Sequence, residues 1–244
     1  MVLRSISNPA TARHSVLVRV THWLTVVCFV ALLVTGAEIV ISHPRFYWGE
    51  VGNVMTRPLF TLPIPASRDT VPTGYHFVMP DQNGWSRYLH FQAAWVAVLV
   101  GLVYGVSSFL NGHFRRDLVP ARGERTVRAV RNVIARYVHR VPAEDADGRS
   151  YNVVQRIAYV SVIFILFPLV IWTGLAMSPA FTSAVPWAAS VLGGRQSART
   201  IHFFVSGALL LFVVVHVAMV VVSGFRSRMR AMVTGGGEVP EERL

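Results

Sequence analysis

The sequence predicts an all-α integral membrane protein. We expect a four-transmembrane-helix bundle with both termini cytoplasmic, a long outer loop between helices 1 and 2, and a cytoplasmic amphipathic helix. Of the 244 residues, 53% are hydrophobic and only 14% are charged, well below the roughly 25% charged residues of a soluble domain. Four apolar stretches reach the about 20 residues that a helix needs to cross the hydrocarbon core. The basic residues, all of them arginine, lie mainly at one end of these stretches.

The four predicted helices occupy residues 20–41, 89–110, 157–178 and 201–225, within one domain over 1–230. None has the polar face that a soluble helix of this length carries, and Glu38 is the only acidic residue within them. The first apolar run is too long for a signal peptide and no small-residue cleavage pattern follows it, so we interpret it as an uncleaved helix. Residues 231–244, which begin with a glycine run, are expected to form a flexible cytoplasmic tail.

The arginines orient this bundle. Seventeen of the 23 lie at the two termini and between helices 2 and 3, whereas six lie in the other two loops. The positive-inside rule therefore predicts a multi-pass protein of the bacterial inner membrane with both ends in the cytoplasm. We call the cytoplasmic side inner and the other side outer. In a soluble protein a net charge of +11 would indicate nucleic acid, but here the charge follows the membrane, and no nucleic-acid partner is expected.

Two connecting segments have distinctive patterns. Residues 124–138 combine a valine and isoleucine stripe with arginines, which predicts an amphipathic helix on the inner membrane surface beside anionic lipid; an ordinary solvated helix is the alternative. The outer loop, residues 42–86, is rich in proline and aromatic residues and unusually long. It is either a cap over the bundle or a docking surface, and the sequence does not choose between them.

Any metal centre has to depend on histidine. The single cysteine, Cys28, excludes an internal disulfide, a cysteine-based zinc or iron–sulfur site and covalent haem attachment. Histidines within spans are costly and mark functional sites, and four lie within the predicted helices: His22, His90, His202 and His216. The sequence has no catalytic triad, phosphate loop or nucleotide-binding fingerprint, so no catalytic residues are predicted.

The topology sorts these histidines into two pairs. His202 and His216 are 14 residues apart on helix 4, so they project from nearly one face about 21 Å apart along the axis. His90 and His202 each begin a helix that enters from the outer side, while His22 and His216 lie toward the inner side. Two imidazole pairs at two depths are what two stacked b-type haems require. We therefore predict His22 and His216 as ligands of an inner haem iron, and His90 and His202 as ligands of an outer one.

One spacing recurs beside three of these histidines. Arg19, Arg87 and Arg199 each precede a predicted ligand by three residues, which places them on the same helix face one turn closer to the surface. Such arginines can pair with the carboxylates of haem propionates. Because arginines flank transmembrane helices in any case, each single instance also has an ordinary topological reading.

Helices 1–2 and 3–4 look like degenerate copies of each other. The dipeptide Thr35-Gly36 near the end of helix 1 recurs as Thr173-Gly174 near the end of helix 3, and His90-Phe91 recurs as His202-Phe203. The glycines of these helices either clear space for a macrocycle or allow close helix packing. Both readings stay open.

These residues resemble the bacterial di-haem cytochrome b subunits of formate dehydrogenases (gamma subunit), nickel–iron hydrogenases and thiosulfate reductases. The resemblance covers residues 13–230 and rests on His22-Trp23, His90-Phe91 and the 14-residue spacing of His202 and His216. It implies two haem b groups, with quinone as an exchangeable substrate near the inner haem. It also implies a periplasmic catalytic oxidoreductase subunit as partner. The outer-loop run of residues 44–50 is similar to the branch linked to molybdenum-dependent oxidoreductases.

The sequence therefore predicts a membrane cytochrome b subunit of a respiratory oxidoreductase. It would relay electrons through two haems between a periplasmic partner and the quinone pool. One alternative is a stand-alone quinone-linked oxidoreductase acting on a small periplasmic species such as superoxide; the long outer loop favours a partner instead. A second alternative is a haem-free transporter or anchor with a histidine proton relay, which would need more membrane carboxylates than Glu38 alone.

Overall fold

The computed structural model describes residues 14–53, 55–64, 82–112, 153–222 and 224–236, together with five isolated positions between 126 and 135. The first half contains α1 (Val16–Ser42), β1 (Arg45–Phe46), β2 (Phe60–Thr61) and α2 (Gln82–Leu110). The second half contains α3 (Val153–Ser161), a π-helical turn (Val162–Leu166), α4 (Phe167–Met177), α5 (Pro179–Ala184), α6 (Trp187–Ser190), α7 (Arg195–Val222) and α8 (Phe225–Val233).

Four helical spans are long and apolar enough to cross a membrane: α1, α2, the continuous α3–π–α4 helix and α7. Their outward faces carry exposed side chains such as Val27, Leu99 and Leu211. Large apolar faces of this kind are stable in hydrocarbon, where the helix satisfies its own backbone hydrogen bonds. The predicted four-helix membrane architecture is confirmed. Each span begins before its predicted residue. In α7, for example, polar residues such as Arg195 and Gln196 extend the helix upstream of the apolar stretch.

The spans form two antiparallel hairpins. Helix α1 packs along α2, and α4 packs along α7, while contacts between the two pairs are sparse among the described residues. Each hairpin therefore holds itself together, and the space between the hairpins is less filled than the space within them. We keep the terms inner end, for the end that holds the start of α1, and outer end, for the end that holds the start of α2.

Two interruptions have local causes. The π-helical turn ends two residues before Pro168. The proline has no N–H to bond the carbonyl one turn back, so the helix widens there. At the inner end α7 stops at Val222, earlier than predicted, because Gly224 adopts a positive φ of 98°. Glycine adopts this conformation without strain. The chain turns there and continues as the separate helix α8.

The described part of the outer loop forms a cap over the outer end of α7. Strands β1 and β2 pair antiparallel, and their Phe46 and Phe60 rings stack 4.7 Å apart while Phe46 also lies 4.5 Å from the Phe203 ring. The Gly49 carbonyl accepts from the backbone N–H of Gln196 at the start of α7. These contacts favour the cap reading. Residues 65–81 and most of 124–138, including the predicted amphipathic helix, lie outside the described residues.

Candidate haem-binding site

The outer histidine pair joins the two hairpins. His90 near the start of α2 and His202 near the start of α7 face each other with ring centroids 6.3 Å apart and ring planes inclined by 61°. His90 belongs to the first hairpin and His202 to the second. The two imidazoles thus meet across the sparsely packed space between the hairpins, as the topology predicts.

A threonine holds each ring of the outer pair. The Thr35 Oγ1 atom lies 2.9 Å from His90 Nδ1, and Thr173 Oγ1 lies 3.0 Å from His202 Nδ1. Each hydroxyl donates its own proton to a carbonyl one turn back in its helix, Thr35 to Ala31 at 2.7 Å. The hydroxyl oxygen is therefore free to accept from the imidazole, which places the proton on Nδ1.

The backbone supports the same tautomer for His202. The Val170 carbonyl lies 3.1 Å from His202 Nδ1, and a carbonyl can only accept a hydrogen bond. With Nδ1 protonated, Nε2 carries the free lone pair that a metal requires. A metal-bound histidine usually donates a hydrogen bond from its other ring nitrogen, which fixes the orientation of the ring and raises the basicity of the ligand.

The glycines after these threonines make room for the rings. A Cβ atom added to Gly36 would lie 3.6 Å from His90 Cε1, and one added to Gly174 would lie 3.5 Å from His202 Cε1. By contrast, a Cβ on Gly101 would meet nothing within 4 Å, and Gly101 lies on the His90 face of α2, eleven residues on. The Thr-Gly glycines therefore approach the imidazoles, while Gly101 borders open space.

The inner histidine pair is built differently. His22 on α1 and His216 on α7 have ring centroids 6.5 Å apart. The His216 ring stacks on Phe212 and meets Tyr159 edge-on, at 5.8 and 6.3 Å between centroids. His22 Nδ1 is buried and has no hydrogen-bond partner among the described residues. Aromatic packing thus replaces the threonine cradle of the outer pair.

The spacing of both pairs fits a metal atom between the rings. A metal bonded to one nitrogen of each imidazole at about 2 Å, on opposite sides, separates the ring centroids by roughly 6 Å. The observed 6.3 and 6.5 Å agree with this value. Among the described residues no group of three or more histidine, cysteine or carboxylate side chains could hold an ion. The donor set suits an iron whose remaining ligands come from a macrocycle.

The three predicted propionate arginines lie at the two ends of the bundle. At the inner end Arg19 donates to the Val233 carbonyl at 2.9 Å, and its Nε is buried without a partner among the described residues. At the outer end Arg87 Nη2 lies 3.5 Å from His43 Nε2, while Arg199 donates to the His43 carbonyl and lies over the Phe46 ring. His43 was not predicted to join this group; as the residue that ends α1, it meets both arginines only through the fold.

Sequence reasoning missed the hydrogen-bonding role of Thr35 and Thr173. The repeated Thr-Gly dipeptide was the available signal, but it indicated only an internal copy. A further feature at the inner end is a groove of about 440 Å³ along α2, lined by Leu102, Val103, Val106, Ser107, Leu110 and Asn111. It is mostly apolar and has the Asn111 amide at its end.

Comparison with known proteins agrees with this geometry. Residues 13–235 match the prokaryotic cytochrome b561 family. The chain is 28% identical over 222 residues to a candidate protein-methionine-sulfoxide reductase subunit of Azospira oryzae, covering 88% of this chain and 93% of that protein. It is 26% identical over 243 residues to a candidate Ni/Fe-hydrogenase B-type cytochrome subunit of Cupriavidus necator, covering 94% and 87%.

The family match extends over all four spans and both histidine pairs. It confirms the predicted resemblance to bacterial cytochromes b and supersedes the alternative of a haem-free transporter. Haem b binding, electron transfer and a multi-pass location in the bacterial inner membrane follow from it. The chain belongs to the prokaryotic cytochrome b561 family.

Proposed function

We propose that the protein relays electrons through two haem b groups, between a catalytic partner on the periplasmic side and the membrane quinone pool. The observation that carries this proposal is the pair of facing imidazoles at each end of one bundle, with ring centroids 6.3 and 6.5 Å apart. Fourteen residues of α7 separate His202 from His216, a rise of about 21 Å within a hydrocarbon core of about 30 Å. Two carriers at these depths divide the crossing into short steps.

His90 with His202, and His22 with His216, would hold the two irons. When bound, each haem would supply one-electron redox chemistry, and ligation by two imidazoles would favour electron transfer over the binding of further ligands. The protein's own contribution is orientation and electrostatics. Thr35 and Thr173 hold the outer rings with Nε2 available. The described spans carry Glu38 as their single carboxylate, so the surroundings of the irons are largely apolar.

Arg19, Arg87 and Arg199 would neutralise haem propionates. Arg87 and Arg199 converge on His43 at the outer end of the bundle. Arg19 lies three residues before His22 and keeps a buried Nε–H without an acceptor among the described residues. A buried donor of this kind is costly unless an acceptor is present, and a carboxylate would satisfy it.

The quinone would bind near the inner pair. Tyr159 contacts both His216 and Phe212, and the groove ending at Asn111 lies at the same end of the bundle. A mostly apolar groove with two polar side chains, Ser107 and Asn111, suits a quinone ring and its tail. In membranes, a quinol analogue should reduce the haems, and Asn111→Leu should slow this reduction while haem content stays constant. An unchanged rate would contradict a quinone at this groove.

A catalytic partner is supported by the names of the two relatives, one a subunit of a reductase and the other a cytochrome subunit of a hydrogenase. We place this partner on the periplasmic side because the arginine distribution puts the long loop between helices 1 and 2 there. A partner of the molybdenum-dependent class is suggested by the resemblance of the outer-loop run at residues 44–50 alone. The stand-alone alternative is tested with the purified protein and a superoxide source. Rapid haem reduction by superoxide alone would favour the stand-alone alternative. If the haems are not reduced until a catalytic subunit is added, the result supports the proposal of a partner.

The haem assignment is tested by a pyridine haemochrome assay on the purified protein. We expect two haem b per chain in the wild type, and one in each of His216→Ala and His90→Ala. Redox titration should show that the two variants lose different components. His14→Ala, outside both pairs, serves as the control and should retain two. Loss of both haems or of neither in the two pair variants would contradict the pairing.

A further inference from the structure

Helix α8 is a short amphipathic helix at the inner end. Phe225, Met229 and Val233 are spaced four residues apart and form an apolar stripe, and Arg226 and Arg230, also four apart, form the stripe beside it. Phe225 and Val233 are half exposed, whereas Ala231 is buried against the rest of the protein. A helix with adjacent exposed apolar and basic stripes is typical of the membrane–water interface.

Two side chains from the start of α1 hold this helix in place. Trp23 Nε1 donates to the Met232 carbonyl at 3.2 Å, and Arg19 donates to the Val233 carbonyl at 2.9 Å. Tryptophan is enriched at the interface level of membrane proteins. Helix α8 is therefore fixed at the inner end of span 1, rather than extending α7 away from the bundle.

A small concavity of about 160 Å³ lies on the basic side of α8. It is lined by Arg226, Ser227, Arg230 and Gly236, which together offer two guanidinium groups and a hydroxyl. Only two carboxylates, Glu38 and Glu50, occur among the described residues. Both lie toward the outer end, Glu50 beside the start of α7. The described part of the inner end thus presents concentrated positive charge around a concave site with no carboxylate to neutralise it.

We propose that this concavity binds the phosphate of an anionic phospholipid from the adjacent leaflet. Guanidinium groups match phosphate oxygens through paired, charge-assisted hydrogen bonds. The neighbouring stripe of Phe225, Met229 and Val233 would lie against the acyl chains of the same lipid. A free phosphate ion would use the two arginines but not this apolar stripe, so the arrangement favours a lipid.

The test measures lipid retention by the full haem-loaded protein. The protein is stripped of lipid in detergent and offered equal amounts of dioleoylphosphatidylglycerol and dioleoylphosphatidylcholine, and bound lipid is counted by native mass spectrometry. We expect the wild type to show a clear preference for phosphatidylglycerol. Arg226→Gln should reduce this preference about fivefold, and the double variant with Arg230→Gln should reduce it about fivefold again. Unchanged haem spectra in the variants would verify that the bundle is intact.

Two matched controls separate a built site from diffuse charge. Arg228→Gln removes the same charge from α8 outside the concavity, and Arg57→Gln removes it from the outer loop; both should keep most of the preference. Equal losses in Arg228→Gln and Arg226→Gln, or no preference in the wild type, would overturn the proposal. If millimolar inorganic phosphate displaces phosphatidylglycerol, the site binds a free anion and the proposal of a lipid site is overturned.

Discussion

Replacing Thr35 by valine tests the proposed outer haem site. The substitution keeps the side-chain shape but removes the hydroxyl that accepts from His90 Nδ1 at 2.9 Å. In the proposed site that hydrogen bond would make the imidazole a stronger donor to the iron and so favour the oxidised state. A net hydrogen bond contributes about 0.5–1.5 kcal/mol. For a one-electron couple this corresponds to at most about 20–60 mV.

We therefore expect Thr35→Val to raise the midpoint potential of one haem by up to about 60 mV and to leave the other unchanged. The assay is an optical redox titration of the purified protein, with haem content measured in parallel. Thr25→Val is the matched control, because among the described residues the Thr25 hydroxyl bonds to the Thr21 carbonyl of its own helix and to no histidine. A potential that does not rise, or an equal rise in Thr25→Val, would refute the proposed role of Thr35.

Substitutions at three further positions test the site and its cap. Gly174→Ala should retain both haems, because its Cβ would make an ordinary 3.5 Å contact with His202, while Gly174→Leu should displace that ring; two haems per chain in the leucine variant would contradict this. Arg87→Gln should lower the outer haem potential by tens of millivolts through loss of a nearby positive charge, compared with Arg57→Gln in the same titration, and equal potentials would argue against a propionate contact. Gly194→Ala should lower the thermal midpoint by about 5 °C, since alanine is strained at a φ of 114° and its Cβ would lie 2.5 Å from Gly49. Gly84→Ala, where the space is open, should not lower it, and a matching decrease there would point to a general effect.

The two histidine pairs differ in a way that has functional consequences. The outer rings have hydroxyl or carbonyl acceptors at Nδ1, whereas His22 Nδ1 has none among the described residues. The outer pair is thus oriented by hydrogen bonds. In the inner pair, His216 packs against Phe212 and Tyr159, and His22 packs against Trp23. If both pairs hold haems as proposed, these different surroundings should give the two haems different midpoint potentials.

The sequence by itself determined the spans, the inner and outer ends that we assign from arginine, and the sorting of the four histidines by depth. These features depend on apolar length and on counting residues along a helix of constant rise, so they need no knowledge of the neighbours. Helix ends were less accurate. Polar residues continued α7 upstream of its apolar stretch, and Gly224 stopped it early through its backbone conformation.

Only the tertiary structure decided which groups surround each imidazole. Thr35 meets His90 across 55 residues of chain, Arg87 and Arg199 meet at His43, and Trp23 anchors α8 through Met232. Each contact depends on how two helices are rotated about their axes and how closely they approach. That rotation is set by packing of side chains along the whole interface, whereas depth in the membrane is set by position along a single helix.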